Sequence, residues 1–307
     1  MKNLLGFLFA FVLCCSADAQ THKLAFNLVK GKDYLQTTSA VMSINQTVNG
    51  QAMNINMTVN GKVKYNVLSI ENDVYNMDVS YTSLSMKMEM PGGGMNFDSE
   101  KKDTTDIMST ILSKMRNKPF QVKMTKTGKI LEVKNVEILF DNILNGFPNI
   151  SQEQKEQIKS QINQSYGDKA FKGNMEMLSA IFPDKAVAKG ETWNIKTNME
   201  TGGMSLALNS TYKLDDVTAS QYLISGNADM TPTGNGKEII QNSIPMRIEM
   251  SGKYISTIKV DKNTGWVSEA LFKQDMKGNT HVKETENLPG GMTIPMEIKS
   301  TTTVTGN

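Results

Sequence analysis

Two histidines, His22 and His281, are the residues in this sequence best suited to acid–base chemistry near neutral pH. A Ser/His/Asp triad would have to use one of them. There is no Gly-x-Ser-x-Gly turn to raise a nucleophile. His22 reads as part of a frayed end and His281 as a loop residue beside the Gly278-Asn279 turn. Carboxylates occur in pairs at Asp215-Asp216 and at Glu284 and Glu286. A glycosidase needs two carboxylates flanking a scissile bond in a cleft. Aromatic residues for a sugar platform are sparse, at 7%. Asp215-Asp216 reads as a turn, and Glu284/Glu286 as one solvated strand face. Gly92-Gly93-Gly94 and Gly234-Asn235-Gly236-Lys237 lack the spacing and the strand–loop–helix setting of a phosphate loop. No cofactor motif is present, and no His or Cys cluster points to a metal.

Methionine is the remaining signal. It occurs 22 times, and many copies alternate with polar residues: Met53, Met57, Met86, Met88, Met246, Met250, Met292 and Met296. Met is flexible and polarizable and suits adaptable apolar surfaces. These eight residues are the candidate lining of a cavity for a lipid or another apolar ligand. The same alternation also suits a core packed with Met in place of Leu. A thioether copper site on Met86, Met88 and Met90 would suit Cu(I), but lacks supporting His or Cys.

The elements that must position these residues are mainly strands. Met42 and Ile44, Met53 to Val59, and Leu84 to Met90 follow period two, the pattern of antiparallel strands with one buried face. Asn49-Gly50 and Asn60-Gly61 carry the hairpin signal, and Asn72-Asp73 suggests another turn. Ile107 to Met115 falls at helical spacing, with Asp103, Thr104 or Thr105 as candidate caps. Helical patterns continue over Val136–Leu144, from a Ser151-x-x-Gln154 capping box, and over Phe171–Ile181. Alternation resumes from Glu191 to the end, with Gly252 as a candidate bend or bulge.

Landmarks recur in the same order. Lys30-Gly31-Lys32-Asp33-Tyr34 is echoed by Lys189-Gly190-Glu191-Thr192-Trp193, and Lys64-Tyr65-Asn66-Val67 by Thr211-Tyr212-Lys213-Leu214. Thr127-Gly128-Lys129 is echoed by Thr264-Gly265-Trp266. The expected fold is mainly β (α+β), with two related antiparallel curved sheets or half-barrels, or one sheet of two halves, around a helical middle segment. The expected units are a signal peptide over 1–19, a β-rich repeat with one helix over 20–135, a helical connector or lid over 136–187, and a second β-rich repeat over 188–307.

The first nineteen residues read as an address. Lys2 is followed by an apolar run from Leu4 to Cys15, about a dozen residues and too short to span a bilayer. Ala17-Asp18-Ala19 is a small-x-small cleavage site. Both cysteines, Cys14 and Cys15, lie inside this run, so cleavage after Ala19 leaves a chain without disulfides or thiols. Acylation of Cys15 is the minor alternative. The formal net charge is +2, with Arg116 and Arg247 the two arginines. That argues against a nucleic-acid partner, which needs a basic stripe.

The stretch Phe182-Pro183-Asp184-Lys185-Ala186-Val187-Ala188-Lys189-Gly190-Glu191-Thr192-Trp193, with the Thr264-Gly265-Trp266 hairpin, resembles secreted Bacteroidota proteins of a domain-of-unknown-function family. That resemblance implies no catalytic residues. The architecture is similar, more loosely, to lipoprotein-carrier half-barrels that hold acyl chains. The reading is a periplasmic or secreted, non-enzymatic envelope protein that binds a lipid or another apolar ligand, with an envelope protein as another possible partner. A structural or interaction protein is second, and an undetected hydrolase third.

Overall fold

A computed structural model describes residues 20–101, 106–139, 151–153, 155–156, 168–201, 204–233, 238–241, 244–285 and 288–307. The first part of the chain contains β1 (Thr21–His22), β2 (Asp33–Val48), β3 (Gln51–Glu71), β4 (Val74–Met90), β5 (Gly93–Asp98), helix α1 (Ile107–Met115), β6 (Phe120–Thr125) and β7 (Ile130–Lys134). A short 3-10 turn, Val136–Leu139, and helix α2 (Asp168–Ser179) follow. The rest of the chain contains β8 (Val187–Ala188), β9 (Thr192–Thr201), β10 (Met204–Val217), β11 (Gln221–Pro232), β12 (Glu238–Gln241), β13 (Ile244–Asp261), β14 (Val267–Val282) and β15 (Met292–Gly306). The proposed signal, the Ser151 capping box beyond its first turn and Gly234–Lys237 lie largely or wholly outside the described residues.

Thirteen strands form one sheet, in the order β7-β6-β4-β3-β2-β15-β14-β13-β11-β10-β9, with β5 on β4 and β12 on β13. Every pairing is antiparallel. Of the two expected arrangements, the structure has the single sheet, its halves joined where β15 pairs with β2. The sheet is not closed by strand pairing. Helix α2 contacts both terminal strands, β7 and β9, and Tyr254 Oη in the middle of the sheet reaches Met177 O at 3.5 Å. The sheet therefore wraps around α2. Gly173 makes the approach to β9 possible, because a Cβ there would press on Asn198 O at 2.9 Å.

The repeated landmarks build the same local structure twice. Gly31 and Gly190 have φ of 77° and 87°. Gly31 N donates to Val67 O and Gly190 N to Leu214 O, both at 2.7 Å, and Val67 N and Leu214 N return bonds to Lys32 O and Glu191 O. Tyr34 and Trp193 then enter the core. The two Thr-Gly hairpins grip one segment between them. Phe26 N donates to Lys126 O, and Asn27 N donates to Thr264 O. This strap buries Leu24, Phe26 and Leu28, and Tyr75 Oη both donates to Phe26 O and accepts from Leu28 N.

Several local expectations need correction. Asn60-Gly61 is not a turn but the middle of β3, where Gly61 is paired with Thr38 and Leu84. Two flanking strands hold it extended and override the dipeptide's turn preference. Asn49-Gly50 and Asn72-Asp73 are turns with positive φ. Gly252 is neither bend nor bulge. The register runs through it, and the missing side chain leaves room for Met276. The N-cap of α1 is Asp106, whose carboxylate accepts from Ser109 N at 3.1 Å. His22 is not frayed: it pairs with Val187, and its ring lies 5.7 Å from that of Tyr222. Asp215-Asp216 sits at a bulge within β10, not in a turn. Glu284 lies beyond the end of β14, and Glu286 lies outside the described residues.

Candidate functional site: a methionine-lined trough

The long strands pass through two levels. At one, the inner face is a packed core built from all parts of the sheet, with α2 and the strap inside it. One cavity within it has a volume of about 20 Å³ between Phe26, Tyr65, Met124, Ile130 and Trp266. That holds about one water, so no acyl chain fits there.

Glu176 is a feature of this packed level. It is 7% exposed, and its Oε1 accepts from Ile130 N, on the edge strand β7, at 2.9 Å. Burial raises its carboxyl pKa, against the opposing pull of Lys172, the Ile130 bond and Lys129. The folded state thus holds the proton more tightly than the unfolded chain. This contribution is fully present below the ordinary carboxyl value and is lost as pH rises through the folded one. Glu176→Gln keeps an acceptor for Ile130 N and removes the charge. Urea unfolding should show the variant gaining stability relative to wild type as pH rises above 4.5. Glu176→Ala should lose about 1–3 kcal/mol by stranding the Ile130 N–H. A Gln variant that instead falls behind wild type as pH rises would contradict this assignment.

At the other level the inner face changes character. Register places Met42 opposite Met57, Met57 opposite Met88, and Met88 opposite Met95, so four thioethers cross four strands in one row. Met86 lies between Val59 and Phe97, and Ile44 between Ile55 and Ile298. Across the β15–β2 junction, Met296 and Met53 both face Gln46, whose Nε2 donates to Met53 Sδ at 3.3 Å. Further along, Met292 and Met246 flank Val282. Met42, Ile44, Ile248 and Met296 pack on the edge of the core, whereas Met53, Met57, Met86, Met88, Met246 and Met292 lie beyond it and are partly exposed. Met250, the eighth candidate, is 1% exposed and belongs to the core.

Among the described residues of this level, no inward position on β2–β5 or β12–β15 carries a charge; the polar ones include Gln46 and Thr280. The charges stand on the outer face, paired as Lys87–Glu89, Arg247–Glu249 and Lys277–Glu297. The result is an uncharged, Met-lined trough continuous with the core. Sequence reading left out Met42, Met95 and Phe97. Alternation marks a strand at Met42 only, since Met95 and Phe97 follow the Gly92-Gly93-Gly94 stretch, and the register shows that all three line the trough.

His281 is a strand residue on the outer face. Its Nδ1 lies 3.2 Å from Thr293 Oγ1, and its Nε2 3.7 Å from Glu249 Oε2. The order Thr–His–Glu resembles an acid–base relay. Hydrolysis also needs donors aimed at an oxyanion, and His281's strand is laddered on both sides. No cluster of three or more His, Cys, Asp or Glu able to hold a metal occurs among the described residues.

Residues 72–267, more than half of the chain, match a family described as a family of unknown function, DUF6263. The chain belongs to that family. No curated protein matches it. Among solved structures, this DUF6263 member is similar in fold to lipovitellin, with 9% identity and a TM-score of 0.50 over 92% of this chain. It spans only about a quarter of lipovitellin's length, 25%. Likeness to the outer membrane protein OprG of Pseudomonas aeruginosa is weak, with 7% identity, TM-score 0.27, and 91% and 97% of the two chains covered. A lipoprotein-sorting protein domain from Vibrio parahaemolyticus is weaker still, with 10% identity, TM-score 0.13, and 88% and 83% covered. No helix among the described residues is long and apolar enough to cross a membrane.

Proposed function

We propose that this DUF6263 protein is a non-enzymatic carrier that holds an apolar ligand, such as a lipid or lipoprotein acyl chain, in the methionine-lined trough. The observation that carries the reading is the trough itself: a wide inner sheet face among the described residues, partly exposed, apolar and free of charge, beside a packed core. Soluble proteins seldom leave large contiguous apolar surface uncovered without a binding role. Lipovitellin, similar in fold, has a solved structure that describes its lipid–protein interactions. The segment 1–19 fits a secretory signal, and the protein is assigned to the periplasm or the exterior.

Native mass spectrometry before and after delipidation, with titration of a fluorescent long-chain fatty acid, tests this reading. Saturable binding is expected, weakened at least tenfold by Met57→Asp with Met88→Asp, because a carboxylate desolvated under an acyl chain is costly. Absence of co-purified lipid together with absence of probe binding would overturn it.

A further inference from the structure

We infer that the trough's Met42–Met57–Met88–Met95 row is also a site of reversible methionine oxidation, and that sulfoxides formed in this row by a peroxide release the apolar ligand. This rests on the carrier reading of the same surface. Two sets stand apart among the described methionines, the rest including Met108 on α1, 39% exposed. Met77, Met124, Met230, Met250 and Met276 are at most 3% exposed, sealed in the core. The row Met42, Met57, Met88 and Met95 is accessible, and Met95 is 42% exposed. Sulfur oxidation follows exposure. Cleavage after Ala19, as the carrier reading has it, removes Cys14 and Cys15, the two cysteines, and with them any thiol that could intercept the oxidant.

The chemistry balances simply. A thioether sulfur lone pair attacks one peroxide oxygen, the O–O bond breaks, and the sulfur, losing two electrons, becomes a sulfoxide while hydrogen peroxide is reduced to water. A dithiol reductant reverses the step, giving thioether, disulfide and water. Each sulfoxide is a strong acceptor placed where an acyl chain would cover it. Gln46 and Thr280 offer few donors, so bound ligand would strand the new oxygens.

The test is peroxide treatment of the whole protein, followed by peptide mapping and fatty-acid titration, for wild type and for Met42→Leu/Met57→Leu/Met88→Leu/Met95→Leu. Leucine keeps the apolar volume and removes the sulfur. In wild type, oxygen should appear on the trough methionines well before Met77, Met124 or Met230. Probe affinity should fall at least tenfold and recover after methionine sulfoxide reductase treatment. The variant should bind before oxidation and lose less than threefold after it. Trough sulfoxides with unchanged affinity, oxidation spread evenly over core and trough, or equal losses in both proteins would overturn the inference and leave the carrier reading standing. Absence of binding by wild type before oxidation would remove the carrier reading and this inference with it. Mapping of wild type alone decides the sorting if the variant does not fold.

Discussion

Trp266→Ala should lower the unfolding free energy by about 3–5 kcal/mol, the range for large aromatic truncations in packed cores. Trp266 is 7% exposed and stands where both halves and the strap converge. Its ring lies 5.2 Å from Tyr34, 5.2 Å from Tyr65 and 6.1 Å from Phe26, and it covers Gly306, where a Cβ would meet Nε1 at 2.6 Å. Removing it opens a void that β2, β3, β15 and the strap cannot all collapse to fill. The lost hydrogen bond matters less. Nε1 donates to Leu35 O at 3.1 Å, but that carbonyl also accepts from Asn307 N. Packing therefore dominates, and Trp266→Phe should recover more than half of the loss despite lacking the donor. Urea denaturation measures both. A loss under about 1 kcal/mol for the alanine variant would mean that the convergence point is not packed as described.

Gly265→Ala should destabilise far more than Gly190→Ala, although both glycines have positive φ, 68° and 87°. At Gly190 a Cβ meets nothing within 4 Å, so the cost is the backbone term alone, about 1–2 kcal/mol. At Gly265 it would collide with the Ala25 carbonyl and press on Phe26. The Thr264 O bond to Asn27 N would part, and the strap would lift from the hairpin. A total near 3 kcal/mol or more is expected. Hydrogen exchange should show Phe26 and Asn27 losing protection in this variant and keeping it in Gly190→Ala. Equal losses in the two variants would show that the strap is not gripped there.

The strand pattern and the paired landmarks were legible because each depends on local spacing. The alternation from Met53 to Val59 is a property of one strand, and the Lys-Gly-x-x-aromatic stretches each need only a glycine with positive φ before a buried ring. The rest depended on pairing. Asn60-Gly61 has the composition of a turn, and only its neighbours β2 and β4 hold it extended. His22 looked frayed because its partner Val187 is remote in sequence. The trough was half legible. Eight methionines on alternating faces marked it, but β2–β15 pairing separates core from open level. That level is why Met250 falls in the core while Met246, on the same strand face, lies outside it.

The central claim is that the methionine-lined trough, rather than the core, takes an apolar ligand. Its most direct test is ¹³C-methyl methionine NMR during titration with a long-chain fatty acid. The account predicts saturable shifts in the methyl signals of Met53, Met57, Met86, Met88, Met292 and Met296, with Met77, Met124 and Met230 unmoved. Shifts confined to the core methionines, or no shift at saturating fatty acid, would contradict it.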